Sequence, residues 1–563
     1  MSFSVSLAIR HTIGATCVRA DRSRVRCPAF CEELALVGRV VGACQAVYGS
    51  ARVFGVHRLL CVATASVLVV LCSSAVASAR DVVVPSFDGT PILAHFYPAV
   101  TPGPGGQSPT VLIGPGYANR GDTNPDANLG DRIGSANLRN AGFNVVTWDP
   151  RGFGGSGGTA MFDSAAFEGR DVQALVDYVA TQPEALLDGP GDPRVGMSGS
   201  SYGGGIQFVA AAIEPRLDAI VPDIAWHSLV TSFARDGAFK AGWLLLICAS
   251  GEVLGLSDGL TSPAGVQLGS TAPQMTSMCL EGNLTGTLSA AATGWLADRG
   301  PAQLLGAIRA PTLITQGTVD TLFAPGEAIA NYDVLRRNGV PVKMLWYCGG
   351  HGTCQTPAGD PSVLPSAGLN WLRRWLMRDA TVDTGPRFEW IDDGGVWRAG
   401  PDYPLAAAGS LAASGAGSLG LLPSVGITLG PIVLGTPVLS MFEVRYAPPP
   451  AAADLVGEPT VSLTYRGNAV PAATFVYAQV VDATTQRVVG GQVTPIPVVL
   501  DGAQRTVTRT LEAIAVRGRP DSDLRLQLLP STTLYGSQRA VGSITTLTVT
   551  STLPIVDATR SGR

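Results

Sequence analysis

Residues Arg194 to Gly205 read Arg-Val-Gly-Met-Ser-Gly-Ser-Ser-Tyr-Gly-Gly-Gly, a short apolar strand leading into a serine between glycines and then a helical pattern. The core Gly199-Ser200-Ser201-Tyr202-Gly203 fits G-x-S-x-G, whose glycines let a strand turn sharply into a helix and hold the serine oxygen exposed. Ser201 is thereby a candidate nucleophile. Gly154-Gly155-Ser156-Gly157-Gly158 fits the same pattern, but it leads from Trp148-Asp149-Pro150-Arg151-Gly152 into further loop, a setting for glycines that let backbones pass closely. A serine hydroxyl is a poor nucleophile near neutral pH. It needs a base within hydrogen-bond reach and a third group to orient that base.

Five histidines make the search for the base short. His351 stands in Cys348-Gly349-Gly350-His351-Gly352-Thr353-Cys354, a loop just after the last predicted sheet strand, free to bring imidazole to the serine. His227, where the chain enters a predicted cap, is the alternative. His11 and His57 precede a predicted cleavage point, and His95 alternates along the first hairpin. For the acid, Gln316-Gly317-Thr318-Val319-Asp320-Thr321-Leu322-Phe323 follows an apolar strand and precedes a helix, which puts Asp320 at a strand's carboxyl end. Aspartate there also suits a helix N-cap. The chain order Ser201, Asp320, His351 is nonetheless the serine, acid, histidine order that accompanies such an elbow. Acyl transfer also needs two donors for the developing oxyanion, and losing one costs about 100-fold to 1000-fold in rate. The backbone N–H of Tyr202 supplies one, and the loop Gly114-Pro115-Gly116-Tyr117 after an early strand is placed to supply the other.

The elements that must hold these residues alternate. Val82-Val83-Val84 and Ile92 to Phe96 flank an Asp-Gly turn and form a hairpin. Strand-like runs recur at Thr110 to Ile113, Phe143 to Trp148, Arg194 to Met197, Leu217 to Ile224, Thr312 to Gln316 and Val342 to Tyr347, with helical patterns at Val172 to Ala180, Tyr202 to Ile213 and Ala328 to Arg337 between them. That rhythm implies an α/β fold with a mainly parallel sheet covered on both faces. The interval from about 226 to 300 breaks it with helices and loops, among them Trp243-Leu244-Leu245-Leu246-Ile247, and reads as a cap over the carboxyl ends of the strands. The sheet region closes with an amphipathic helix, Leu369 to Arg378. From 386 onward short alternating strands separated by Gly, Pro and Asp turns read as an all-β sandwich. Leu405 to Pro437, rich in Gly, Ala, Ser and Leu, is expected to be a flexible insertion or linker.

A chain of 563 residues is too long for one core. We divide it into an N-terminal extension with signal peptide (1–79), a catalytic domain (80–385, cap about 226–300) and a C-terminal β-sandwich (386–563). With 46% hydrophobic and 15% charged residues and a net charge of -4, the composition is that of an ordinary soluble globular protein without the basic patch that nucleic acid binding requires. Lys240 and Lys343 are the only lysines, which reads as base-composition bias. Leu59 to Cys72 carries no charge, follows Arg58 and precedes Ala75-Val76-Ala77-Ser78-Ala79. This is the pattern of a signal peptide cleaved after Ala79, too short to span a membrane, and the expected setting is secretion or the cell envelope. Residues 1–55, ahead of it, suggest that translation starts near Val53 or Val56, and Cys17, Cys27, Cys31 and Cys44 there form no metal spacing. After cleavage four cysteines remain, and in an exported chain their even number and proximity pair Cys348 with Cys354 and Cys248 with Cys279. No metal or organic cofactor is implied, and the oligomeric state is left open.

On Phe87-Asp88-Gly89-Thr90, Asp149-Pro150-Arg151-Gly152-Phe153-Gly154-Gly155-Ser156, the elbow Gly199-Ser200-Ser201-Tyr202-Gly203-Gly204 and the late β segment, the chain resembles the Xaa-Pro dipeptidyl-peptidase and cocaine esterase family of serine hydrolases over about residues 80–550. The resemblance implies an α/β-hydrolase domain with a helical cap, followed by a C-terminal jelly roll. It also implies that Tyr117 donates its phenolic hydroxyl to the oxyanion beside the amide of Tyr202. The family form is Pro-Tyr, whereas Gly116 here separates Pro115 from Tyr117, so side chain and backbone both stand as the donor. Peptidase members hold a free amino terminus with cap carboxylates. Asp236, Glu252, Asp258, Glu281 and Asp298 are available but match no such pattern. Trp226, Leu322 and Phe323 offer apolar surface near the acid and the cap entrance. The expected reaction is hydrolysis of a small ester through an acyl-enzyme. Release of dipeptides after proline and a non-catalytic carbohydrate-binding role for the jelly roll are the alternatives.

Overall fold

The computed structural model describes residues 78–130, 132–261, 270–422, 440–535 and 538–561. The predicted signal segment, the alternative starts and the four early cysteines lie outside the described residues. Ser78–Arg563 form one compact unit.

The hairpin opens the fold as β1 (Arg80–Pro85) and β2 (Pro91–Tyr97), antiparallel with Val83 opposite Leu93. Gly89 takes φ +81 in the turn, and Asp88 accepts the Thr90 N–H at 3.0 Å. Buried Arg151 then ties this turn to the first long helix, reaching Asp88 at 2.7 Å and Asp171 at 2.6 Å. The two segments 87–90 and 149–156 therefore meet in space through one guanidinium.

The strands β3 (Thr110–Gly114), β4 (Asn144–Trp148), β5 (Val195–Ser200), β6 (Leu217–Asp223), β7 (Thr312–Gly317), β8 (Val342–Tyr347), β9 (Phe388–Ile391) and β10 (Trp397–Gly400) extend the hairpin into one large sheet. Its order is β1-β2-β4-β3-β5-β6-β7-β8-β9-β10, and a short C-terminal strand, Thr559–Arg560, pairs with β10. Pairing is parallel from β4 through β9. Buried on both faces, these strands are near-continuous apolar runs such as Val342–Tyr347. Helices cover the faces: α1 (Ser135–Asn140), α2 (Glu168–Ala180), α3 (Tyr202–Ile213), and after the cap α8 (Pro325–Arg337) and α9 (Val363–Trp375). The cap consists of α4 (Leu229–Ala234), α5 (Ala241–Thr261), α6 (Pro273–Thr285) and α7 (Ala290–Ala297). No helix among the described residues is long and apolar enough to cross a membrane.

The all-β part is a nine-stranded antiparallel assembly with its own core, including Leu463, Val476, Ile496, Leu526 and Val549. The linker expected over 405–437 is corrected in its first half. Ala407–Leu421 is strand β11, paired with Val541–Val556. Its glycines are small for packing: a Cβ on Gly415 would come 2.6 Å from Val444, and one on Gly417 2.8 Å from Phe442. Residues 423–437 lie outside the described ones.

Candidate active site

Ser201 sits between β5 and α3 with φ 58° and ψ -117°, a left-handed conformation that a non-glycine residue adopts only under constraint. The constraint is local. The Ser201 N–H donates to the Asp223 carbonyl at 2.9 Å, while Gly199 and Gly203 let α3 pack against β3. A Cβ on Gly203 would stand 2.0 Å from the Gly114 carbonyl oxygen, and one on Gly199 2.5 Å from it. Because α3 starts at Tyr202, the Tyr202 N–H next to the serine has no intrahelical acceptor, whereas those of Gly204 and Gly205 donate to the Ser201 carbonyl at 2.8 Å each. Ser156, the other pattern match, is buried; its hydroxyl donates to the Asp149 carbonyl at 2.6 Å and accepts the Leu93 N–H at 2.9 Å.

The three predicted groups come together. His351 Nε2 lies 2.8 Å from Ser201 Oγ and its Nδ1 2.7 Å from Asp320 Oδ2. Asp320 is fully buried at the end of β7, where Oδ1 accepts the N–H groups of Leu322 and Phe323 at 2.9 Å each and Oδ2 also accepts the His351 N–H at 3.1 Å. The N-cap reading of Asp320 is not met: α8 begins at Pro325 with Ala324 at its N-cap, and the N–H groups that Asp320 accepts belong to the loop ahead of it. Gly350, with φ +108°, permits the approach: a Cβ there would meet Asp320 Cβ at 2.7 Å. Edge-on rings of Trp243 and Phe323 hold the imidazole at centroid distances of 5.7 and 5.2 Å. The alternative base, His227, instead pairs with Asn331 at 3.0 Å.

Tyr117 and Tyr202 differ in what they offer. The Tyr202 ring is buried, its hydroxyl 3.4 Å from Glu168, and burial raises its phenol well above the usual value. Tyr117 packs edge-on against Tyr202 at 5.5 Å, and its hydroxyl lies against the cap helix, where a Cβ on Gly251 would come within 2.4 Å.

A cavity of about 710 Å3 opens over Ser201 and His351 beneath the cap. Trp226, Leu322 and Phe323 line it, together with Trp243 of the cap stretch and with Phe162 and Phe233, which the sequence did not single out. Asp122 and Asp223 are its carboxylates among the described residues, and Asp223 is fully engaged. It accepts from Ser200 at 2.6 Å, Thr315 at 2.8 Å and Tyr347 at 3.0 Å, and faces Arg132 at 3.3 Å. This cluster was missed because its members are scattered over five segments. None of the predicted cap carboxylates whose side chains are described lines the cavity: Asp236 faces Arg509 at 3.8 Å, Glu281 accepts from Ser289, and Asp298 is exposed. Glu252 and Asp258 carry side chains outside the described ones.

Both predicted cysteine pairs come to disulfide distance, Cys248 with Cys279 (Cα–Cα 6.7 Å) and Cys348 with Cys354 (5.3 Å). The second brackets the loop that carries His351.

The parallel sheet, the serine at a strand-to-helix elbow and the helical cap define the class of protein: the α/β-hydrolase fold. Residues 88–353 match the model of the X-Pro dipeptidyl-peptidase (S15) family. Among solved structures, a CocE/NonD family hydrolase from Staphylococcus aureus superposes with a TM-score of 0.60 at 11% identity, over 85% of this chain and 93% of its own. An α-amino acid ester hydrolase gives 0.58 at 12% identity over 85% and 96%, and an aminopeptidase from a marine-sediment Thaumarchaeota archaeon 0.57 at 14% over 85% and 96%. At these identities the likeness is one of fold. An uncharacterized protein of Mycobacterium tuberculosis is 29% identical over 175 residues, 31% of this chain and 54% of that protein, so the chain spans about half the length of the curated relative it matches.

Proposed function

We propose that the chain is an exported serine hydrolase that cleaves esters with an apolar acyl or leaving group through an acyl-enzyme. The observation that carries this reading is the unbroken line of contacts from Ser201 through His351 to buried Asp320, at 2.8 and 2.7 Å, on the floor of an apolar cavity. Ser201 Oγ attacks the carbonyl carbon while His351 Nε2 takes its proton, and Asp320 holds the imidazole and the charge it acquires. The Tyr202 N–H and Tyr117 stabilise the oxyanion. Collapse expels the alcohol, which receives the proton from His351, and water activated by the same imidazole then releases the acid and restores Ser201.

Ester is favoured over dipeptide because Asp223, the buried one of the two carboxylates in the cavity's described lining, is committed. Asp223 already receives three hydroxyl donors and faces a guanidinium, which leaves it no capacity for an α-ammonium group. The family match favours the second reading, dipeptide release after proline. Disulfide pairing at both cysteine pairs and the uncharged segment before Ala79 support export, and the C-terminal β domain fits a jelly roll by family resemblance.

The test compares hydrolysis of short-chain nitrophenyl esters with that of an alanyl-prolyl anilide by residues 80–563, with Ser201→Ala as control. Ester turnover lost in the control is the expected result. Preferential release from the anilide would establish the peptidase reading, and inertness toward both substrates would favour a binding protein.

A further inference from the structure

The strand β12 (Arg487–Asp501) of the β domain leaves its ladder next to the triad. On its neighbour, Gln479 pairs with Val493 and Val481 with Val488, so Val489–Gln492 bulge out of register. Bulges of this kind re-aim side chains and cluster beside functional sites. Here Gly490 and Gly491 take φ +62° and +65°, and a Cβ on Gly490 would come 2.9 Å from the Thr318 carbonyl oxygen. The bulge thus lies directly on the loop that carries Asp320. At its end, buried Gln492 donates from Nε2 to the carbonyls of Thr318 at 3.2 Å and of Asp320 itself at 2.9 Å. At its start, Arg487 donates to the Gln355 carbonyl at 2.6 Å, on the loop that carries His351.

The other side of the acid loop is gripped by the cap. Buried Lys240 donates to the Leu322 carbonyl at 2.9 Å, and Trp243 Nε1 donates to Thr321 Oγ1 at 3.0 Å.

We propose that Gln492 is a positioning residue for the acid of the triad, and that the β domain serves catalysis by docking the acid and base loops onto the elbow. The inference rests on the serine hydrolase reading given above. Without the Gln492 carboxamide, two buried carbonyls lose their donor, and the loop relieves them by turning toward water, which carries Asp320 away from His351. A misplacement of about 1 Å is enough to cost about 100-fold in rate.

The experiment uses the full mature chain and a nitrophenyl ester, with kcat expressed per site titrated by a fluorophosphonate. For Gln492→Met, which keeps the volume and loses the donor, kcat should fall at least about tenfold with KM within about twofold, and the acid limb of kcat/KM should move to lower pH as imidazolium loses its partner. For Gln492→Glu, which donates only when protonated, the ratio of its kcat to that of the unaltered chain should fall as pH rises. That variant decides the matter if Gln492→Met fails to fold. An unaltered kcat and pH profile in Gln492→Met, or a pH-independent ratio in Gln492→Glu, would overturn the proposal. Turnover surviving in Ser201→Ala would instead overturn the reading beneath it, whereas a Ser201-dependent enzyme indifferent to Gln492 loses only the inference.

Discussion

Replacing Asp320 by asparagine changes one atom, and the geometry dictates which way the new side chain must face. Oδ1 receives two backbone N–H groups, from Leu322 and Phe323, and Oδ2 receives the His351 N–H and Nδ1. An asparagine must turn its NH2 toward one of these donor pairs. The Leu322 and Phe323 N–H groups belong to the loop ahead of α8, which Lys240 and Gln316 hold at the Leu322 and Phe323 carbonyls, and cannot yield. The NH2 therefore faces His351, whose ring can accommodate it by carrying its proton on Nε2. That tautomer presents a donor to Ser201 instead of a base. The cost expected for this inversion is about 10,000-fold in kcat, or about 5.5 kcal/mol of transition-state stabilisation, with KM little changed. Steady-state hydrolysis of a nitrophenyl ester by purified Asp320→Asn, against the unaltered chain, reads it directly. Activity within about tenfold of the unaltered chain would refute the assignment of Asp320 as the acid.

Gly251→Ala places a methyl group 2.4 Å from the present position of the Tyr117 hydroxyl and must displace that ring. If the phenol serves the oxyanion, kcat falls about 100-fold, and Tyr117→Phe falls with it; a backbone donor predicts a small effect in Tyr117→Phe. Burial pushes the Glu168 carboxyl up from 4.5 to about 7, so the folded chain binds a proton there that the unfolded chain releases. The stability contributed, about 3 kcal/mol, is complete below about pH 4.5 and lost as pH rises through about 7, so Tm should fall across that window and less so in Glu168→Gln. Replacing Cys348 and Cys354 by serine should cost about 2 kcal/mol for so short a loop, and replacing Cys248 and Cys279 about 3.5 kcal/mol, both read by urea unfolding under oxidising conditions.

What was legible in the sequence was local. The elbow announces itself because Gly199 and Gly203 must pass Gly114 without side chains. The acid and base lie just past the ends of apolar strands, and the scarcity of histidine singled out His351. Strands buried on both faces wrote their own boundaries, as at Val342–Tyr347. The rest depended on distance along the chain. Gln492 meets a carbonyl 172 positions away, and its bulge leaves no pattern except two glycines. Lys240 looks like compositional noise until its burial under the acid loop is seen, and there desolvation lowers it to about 8. Ala407–Leu421 was misread because small residues signal a linker as readily as they signal a strand that must lie close to Phe442 and Val444.

The central claim is that Ser201 is an activated nucleophile. Intact-mass and peptide mass spectrometry after exposure of the mature chain to a fluorophosphonate tests it most directly. A single adduct on the peptide containing Ser201, absent from Ser201→Ala, is the predicted result. No adduct, or one on Ser156 or another serine that persists in Ser201→Ala, would contradict the account.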